Sequence, residues 1–265
     1  LVSSIKRLVL VTGASAGIGA AFARAYAARG WDVALTGRRA ERLGVLAGEL
    51  AERHGIEALA LPDDLADPAA PARLLAEIEG RGRRIDGLVN NAGYGLRGPV
   101  HVQDPQAQAA MLQVLTGAVV ALSRAVLPGM REQGFGRVVN VASVMGLIPG
   151  APEAGLYSGA KAFVVGFSEG LHLETRGSGV HVSCLCPGLT RSEFHAVAGI
   201  TDEIARAPAW MWMSAEAVAE AGVAAVEAGR ALCVPGVANK AVVGLARMLP
   251  RGAALALTGR AMRAP

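Results

Sequence analysis

Tyr157 and Lys161 stand four residues apart in GLYSGAKAF (155–163), a stretch otherwise made of small and apolar residues. The chain has only three tyrosines. Four residues make about one helical turn, so both side chains leave the same face of a helix. A cation beside a phenol favours the phenolate and lowers a pKa that is ordinarily about 10. The pair is a candidate proton donor and acceptor. A surface lysine next to a half-buried tyrosine has the same spacing, so the pair alone leaves both readings open.

A second group of residues suits a phosphorylated ligand. TGASAGIG (12–19) places glycines at 13, 17 and 19. They let the backbone turn tightly and approach a pyrophosphate, which a following helix amino terminus stabilises. The spacing is not G-x-G-x-x-G, so the reading rests on its place between a strand and a helix. TGRR (36–39) supplies Gly37, Arg38 and Arg39 where an NAD site usually places an acidic residue for the ribose 2′-hydroxyl. Two guanidinium groups welcome a 2′-phosphate, so NADP(H) is favoured over NAD. A solvated basic helix start is the competing reading, but basic residues are disfavoured at the positive end of a helix dipole. DDL (63–65) and NNAG (90–93) are short, small or polar segments. They suit close contact with a flat ligand and equally suit an ordinary turn.

These segments gain meaning from the elements between them. Apolar runs predict strands at 7–11, 31–36, 56–61, 85–90, 136–143 and 180–186. Helical periodicity predicts helices at 16–29, 40–54, 68–81, 106–133 and 157–177. The strands are rich in Val, Leu and Ile without clean alternation, as expected when helices cover both faces of a parallel sheet. Repeated βα units give an α/β fold, a doubly wound parallel sheet. Ligands bind such sheets beyond the carboxyl ends of the strands, where the segments above lie.

Taken in order, TGASAGIG, Asp64-Leu65, NNAG, Ser143 closing the fifth strand, Tyr157/Lys161 and PGLT (187–190) resemble the short-chain dehydrogenase/reductase family. The resemblance covers residues 8–194 and implies a Rossmann-like fold. It implies that the glycine turn, with Gly13, Ser15, Gly17, Ile18 and Gly19, holds the cofactor together with Arg38 and Arg39. Asp64 and Leu65 would face the adenine, and Asn91, Ala92 and Gly93 would line the adenosine side. Pro187, Gly188 and Thr190 would lie along the nicotinamide half. Tyr157 would be the general acid/base. Lys161 would lower its pKa and hold the nicotinamide ribose, and Ser143 would bond the reacting oxygen. As hydride reaches a carbonyl carbon, charge builds on oxygen; Ser143 would stabilise it and Tyr157 would supply the proton. No metal is required.

The sequence departs from the family in the long helix after the fourth strand. Members usually carry an Asn there that supports a water-linked proton relay to the lysine. The matching position is Leu115, or Val114 if the count slips by one. Either the relay is rebuilt with water and backbone, or turnover is lost and the chain is an NADP-binding regulatory or scaffold protein. Retention of Ser143, Tyr157 and Lys161 favours the enzyme. Ala16 also stands where NADP-preferring members often carry a basic residue.

Composition sets the remaining expectations. The chain has 265 residues, 52% hydrophobic and 18% charged, with mean hydropathy +0.37. That supports one sizeable core, and a single domain over 1–265 is expected. The net charge of +4 is mild and its basic residues are scattered without interleaved aromatics, which argues against nucleic acid. Cys184, Cys186 and Cys233 suit neither a disulfide framework nor a zinc site, so core packing in a reducing, cytoplasmic setting is expected. The amino-terminal segment lacks the apolar core of a signal peptide, and no run of about 20 uninterrupted apolar residues predicts a membrane span. AWMWM (209–213) closes an expected substrate loop at 191–213 and suggests an apolar lid or pocket wall, or a packed short helix. With Leu115 nearby, a small apolar carbonyl or alcohol is the expected substrate. By resemblance, a homodimer or homotetramer is expected. From 228 to 265 no residue is acidic, while Arg230, Lys240, Arg247, Arg251, Arg260 and Arg263 are basic. The 237–265 portion mixes apolar and basic residues, as a terminal helix that covers the sheet edge or joins subunits would; contact with an anionic membrane surface is the less favoured reading.

Overall fold

The strand segments carry apolar residues on both faces because each face meets a layer of helices. The structure, a computed structural model, describes residues 6–96, 98–150, 152–193 and 207–261. Seven strands form one parallel sheet in the order β3-β2-β1-β4-β5-β6-β9. They are β1 (Leu8–Thr12), β2 (Asp32–Gly37), β3 (Ala58–Pro62), β4 (Gly87–Asn90), β5 (Gly136–Val141), β6 (Val180–Leu185) and β9 (Leu232–Cys233). Thr190–Arg191 (β7) and Met213–Ser214 (β8) pair in a separate two-stranded sheet. Sequence pattern misses β7, β8 and β9 because two residues are too few to show a period.

Along β1 the side chains alternate between two cores. Val9 and Val11 pack beneath α1 (Gly17–Ala27), α2 (Ala40–His54) and α7 (Ala215–Glu227), with Phe22, Leu43 and Val218. Leu8 and Leu10 face the opposite core. There Leu74 of α3 (Ala70–Gly80), Leu122 of α5 (Ala118–Glu132) and Leu171 of α6 (Gly155–Glu174) fill the other layer. The order reverses between β1 and β4, which opens a crevice at their carboxyl ends.

The predicted long helix is interrupted. It runs as α4 (Pro105–Leu112), a π-helical turn (Gln113–Gly117) and then α5. Asp104 caps α4 by accepting from the backbone N–H groups of Gln106 and Ala107. Within the π turn the Thr116 hydroxyl donates to the Leu112 carbonyl at 2.6 Å. Such back-bonding competes with regular helical pairing, and widened turns of this kind recur beside functional sites. Taken through the π turn, Pro105–Glu132 is long and apolar enough by length and composition to cross a membrane. A search for uninterrupted apolar runs misses it because glutamines and Thr116 interrupt the run. The helix fills a core, burying Val114, Leu122 and Met130.

All three cysteines are free and buried. Cys184 and Cys186 lie 3.7 Å apart between sulfurs on one face of the β6 region, as core packing requires.

Candidate active site

The end of β5 and helix α6 bring the reactive side chains together. Ser143 follows β5 in extended backbone and caps a short turn (Val144–Gly146), accepting from the Met145 N–H at 3.1 Å. The Val144 N–H donates to the Pro187 carbonyl at 2.9 Å, which ties this turn to the segment after β6. A Cβ on Gly146 would lie 2.7 Å from the Lys161 backbone carbonyl, so only glycine lets the turn sit this close to α6. Tyr157 and Lys161 project from the first turns of α6, one helical turn apart.

The electrostatics differ from the sequence expectation. Burial pushes the Tyr157 phenol up to about 12, and a hydrogen bond from Ser143 opposes that rise. Lys161 is not the residue that lowers it. Its Nζ is 5.7 Å from the centre of the Tyr157 ring and donates to the Val141 carbonyl at 2.7 Å. Burial pulls the ammonium down to about 8. Desolvation is the largest influence on both groups in this geometry.

A cleft of about 390 Å³ runs from these residues across the crevice to the end of β2. It is lined by Gly13, Ser15, Gly17, Ile18, Arg38, Arg39, Asp64, Leu65, Asn91, Ala92, Gly93, Ser143, Tyr157, Lys161, Pro187 and Thr190. Gly19 and Gly188 do not line it. A Cβ on Gly19 would stand 2.3 Å from the Gly13 carbonyl oxygen, and one on Gly188 would stand 2.1 Å from Asn239 Oδ1. Both glycines permit close packing behind the cleft.

The lining fits a dinucleotide. Gly13 has φ of +64°, and a Cβ there would meet the Ala92 backbone at 2.8 Å. The first residue before α1, Ala16, offers no side-chain cap, and the first turn holds no carboxylate. The amino-terminal N–H groups of α1 are therefore available to a pyrophosphate. At one end of the cleft, Arg39 donates to Ser15 Oγ through Nε and Nη2, at 3.1 and 2.9 Å. Among the described residues, Arg38 lines the cleft without an ion pair. At the other end stand Ser143, Tyr157 and Lys161.

Several contributors escape sequence reasoning. Thr12 Oγ1 accepts from the N–H groups of Asn91 and Ala92, both at 2.9 Å, and locks NNAG to β1. Its only signal is its place at the head of the glycine turn. Asn91 Nδ2 donates to the Thr12 carbonyl at 2.9 Å, so this side chain holds the turn. Beneath Tyr157 and Lys161, Asn90 Nδ2 donates to Ser123 Oγ and Asn140 Oδ1, and Asn140 Nδ2 donates to Ser168 Oγ. This buried chain of amides fixes β4, β5, α5 and α6 relative to one another. Glu193 pairs with Arg39 at 2.5 Å and Arg42 at 2.7 Å, at the arginine end of the cleft. These arginines hold its carboxyl below the usual range, Arg39 foremost.

Leu115 is 1% exposed and packs with Met111 and Ala160, against Tyr94, Leu96, Leu156 and Tyr157. Its side chain presses toward Gly93, where a Cβ would meet Leu115 Cδ2 at 2.8 Å. It offers Lys161 no acceptor. AWMWM stands outside this cleft. Trp210 is 70% exposed on a 3₁₀ turn (Ala209–Met211), and none of the five residues lines the cleft. The rest of the expected substrate loop, 194–206, lies outside the described residues.

The short chain dehydrogenase family model matches residues 7–202, three quarters of the chain. The chain belongs to this family. As a short-chain dehydrogenase it is an oxidoreductase of the CH–OH/C=O pair. It is 39% identical to sulfoacetaldehyde reductase 2 of Chromohalobacter salexigens over 193 residues, covering 72% of this chain and 75% of that one. It is 38% identical to the NADP-dependent 3-hydroxy acid dehydrogenase YdfG of Salmonella typhi over 192 residues, covering 72% and 75%. A solved short-chain dehydrogenase from Sphingobium yanoikuyae in complex with NADPH superposes with a TM-score of 0.80. It is 31% identical and covers 92% of this chain and 97% of that one.

Proposed function

We propose that the chain interconverts a carbonyl and a hydroxyl on an apolar substrate with NADP(H), using Tyr157 as general acid/base. The observation that carries this reading is the arrangement along one cleft. Ser143, Tyr157 and Lys161 converge at one end, and Arg38, Arg39 and Ser15 stand at the other. The nicotinamide supplies hydride. The arginine end welcomes a 2′-phosphate. The NADPH in the Sphingobium structure and the NADP dependence in the Salmonella relative's name support the same choice.

Ser143 bonds the substrate oxygen and stabilises the charge that builds there. Tyr157, whose phenol stays protonated well above neutral pH, gives its proton to that oxygen in reduction. Lys161 would hold the ribose hydroxyls of the bound cofactor. The apolar half of the substrate reading rests on Tyr94, Leu96 and Leu156, which pack with Tyr157 against the apolar cluster of Met111, Leu115 and Ala160. Sulfoacetaldehyde and 3-hydroxy acids, in the relatives' names, are polar, so the relatives do not support that half.

The rival reading, a cofactor-binding protein without turnover, draws on Leu115, which leaves Lys161 bound to the Val141 carbonyl. Association of copies through α5 and α6 is supported by Phe163, half-exposed and stacked on Phe167 at 5.9 Å. The test is NADPH and NADH oxidation against a panel of hydrophobic ketones and aldehydes beside sulfoacetaldehyde and a 3-oxo acid. The proposal expects faster turnover with NADPH and with the apolar substrates. No turnover with any of them favours the rival.

A further inference from the structure

The carboxyl-terminal segment leaves apolar and basic side chains in solvent together. Helix α8 (Val237–Met248) packs on the protein through Asn239 and Val243, and Asn239 Nδ2 donates to the Pro235 carbonyl at 2.8 Å. Its outer face carries Val237 at 85% exposure, Leu245 at 59% and Met248 at 84%. With Ala241, these residues recur every three or four positions and form one stripe. Lys240 and Arg247, two turns apart, flank the stripe and are exposed. The turn bearing the exposed Trp210 packs against α8. Beyond Pro250, α9 (Arg251–Ala261) adds exposed Leu255 and Leu257 and the exposed Arg251.

We propose that this face docks on an anionic bilayer surface. The charge pattern selects the occupant. No acidic residue occurs from 228 to 265, so this segment has no side chain of its own to pair with its basic residues. A two-fold contact between copies through this face would set the same basic residues against each other. An acidic lipid surface satisfies them, while Trp210 and the aliphatic stripe enter the headgroup boundary. The inner side of α8 lies beside the cleft: Asn239 meets the backbone at Gly188, between the cleft-lining Pro187 and Thr190. The docking argument itself does not depend on the substrate.

The test uses the full chain and sedimenting vesicles, either pure phosphatidylcholine or phosphatidylcholine and phosphatidylserine in a two-to-one ratio. The protein is expected to pellet with the mixed vesicles, to stay in solution with the neutral ones, and to be released by salt. Replacing Lys240 and Arg247 together by glutamine should weaken mixed-vesicle binding about tenfold or more. Val237→Ser with Met248→Ser should weaken it comparably while leaving NADPH binding unchanged. Equal binding to both vesicles, or to neither, overturns the proposal. So does sedimentation velocity showing a larger species that the double serine variant dissociates, because a second copy then occupies the face.

Discussion

Glu193→Gln is expected to tighten NADPH binding about fivefold while NADH binding changes by less than about twofold. The carboxylate of Glu193 spans Arg39 and Arg42 at 2.5 and 2.7 Å, on the guanidinium that also grips Ser15. A 2′-phosphate reaching Arg39 must displace that carboxylate. All three side chains are about half exposed, so each ion pair is worth about 0.5 kcal/mol rather than the several kcal/mol of a buried pair. Together they make about 1 kcal/mol, or about fivefold in affinity. Glutamine keeps the length and removes the charge. A cofactor without the phosphate does not need the guanidinium and gains little. The assay is quenching of tryptophan fluorescence by NADPH and by NADH at low and high salt, with the gap between variants closing as salt rises. Weaker NADPH binding in the variant would refute the reasoning, because Glu193 would then hold Arg39 in its binding position. An equal change for both cofactors would refute it too, marking a general structural role.

Other expectations concern the reacting end. With Lys161 lowered from 10.5 to about 8 by burial, its charge is lost above pH 8. kcat/KM for reduction should therefore fall above that pH, as rates measured across pH 6 to 10 would reveal. The same shift leaves the unfolded chain with more bound protons between about 8 and 10.5, so this residue makes stability rise with pH there. Lys161→Met should abolish that part of the rise in denaturant titrations. Gly146→Ala forces a Cβ against the α6 backbone at 2.7 Å, and overpacking of this kind costs about 1–3 kcal/mol. It should lower Tm and cut kcat by moving Ser143, with NADPH affinity retained. Leu115→Asn removes a fully buried side chain from a packed apolar cluster, at about 2–4 kcal/mol. Thermal melts should show the loss, and turnover should not rise more than a few-fold.

The parts of the site legible in the sequence were those carried by short local spacing. Tyr157 and Lys161 share a helix face, and the glycine turn, NNAG and PGLT follow strand ends, so their convergence follows from the sheet order. Pattern could not show pairings across the chain. Glu193 is 154 positions from Arg39, and nothing near either residue announces the other. Gly146 resembles any loop glycine until α6 is seen pressing on it. The π turn keeps helical spacing closely enough to read as an unbroken helix. Trp210 stood open between a pocket wall and a packed helix because apolar composition does not distinguish an inward from an outward face. The expected effect of Lys161 on Tyr157 failed because spacing gives proximity along a helix but not the burial that dominates both groups.

The central claim is that Tyr157 is the general acid/base of a working enzyme despite Leu115. The most direct measurement compares the parent chain with Tyr157→Phe for NADPH-dependent ketone reduction, with cofactor binding recorded for both. The account predicts turnover by the parent, a loss of at least about a hundredfold in the variant, and similar NADPH affinity in the two. Equal rates in parent and variant would contradict it, as would turnover that appears only when Leu115 is replaced by asparagine.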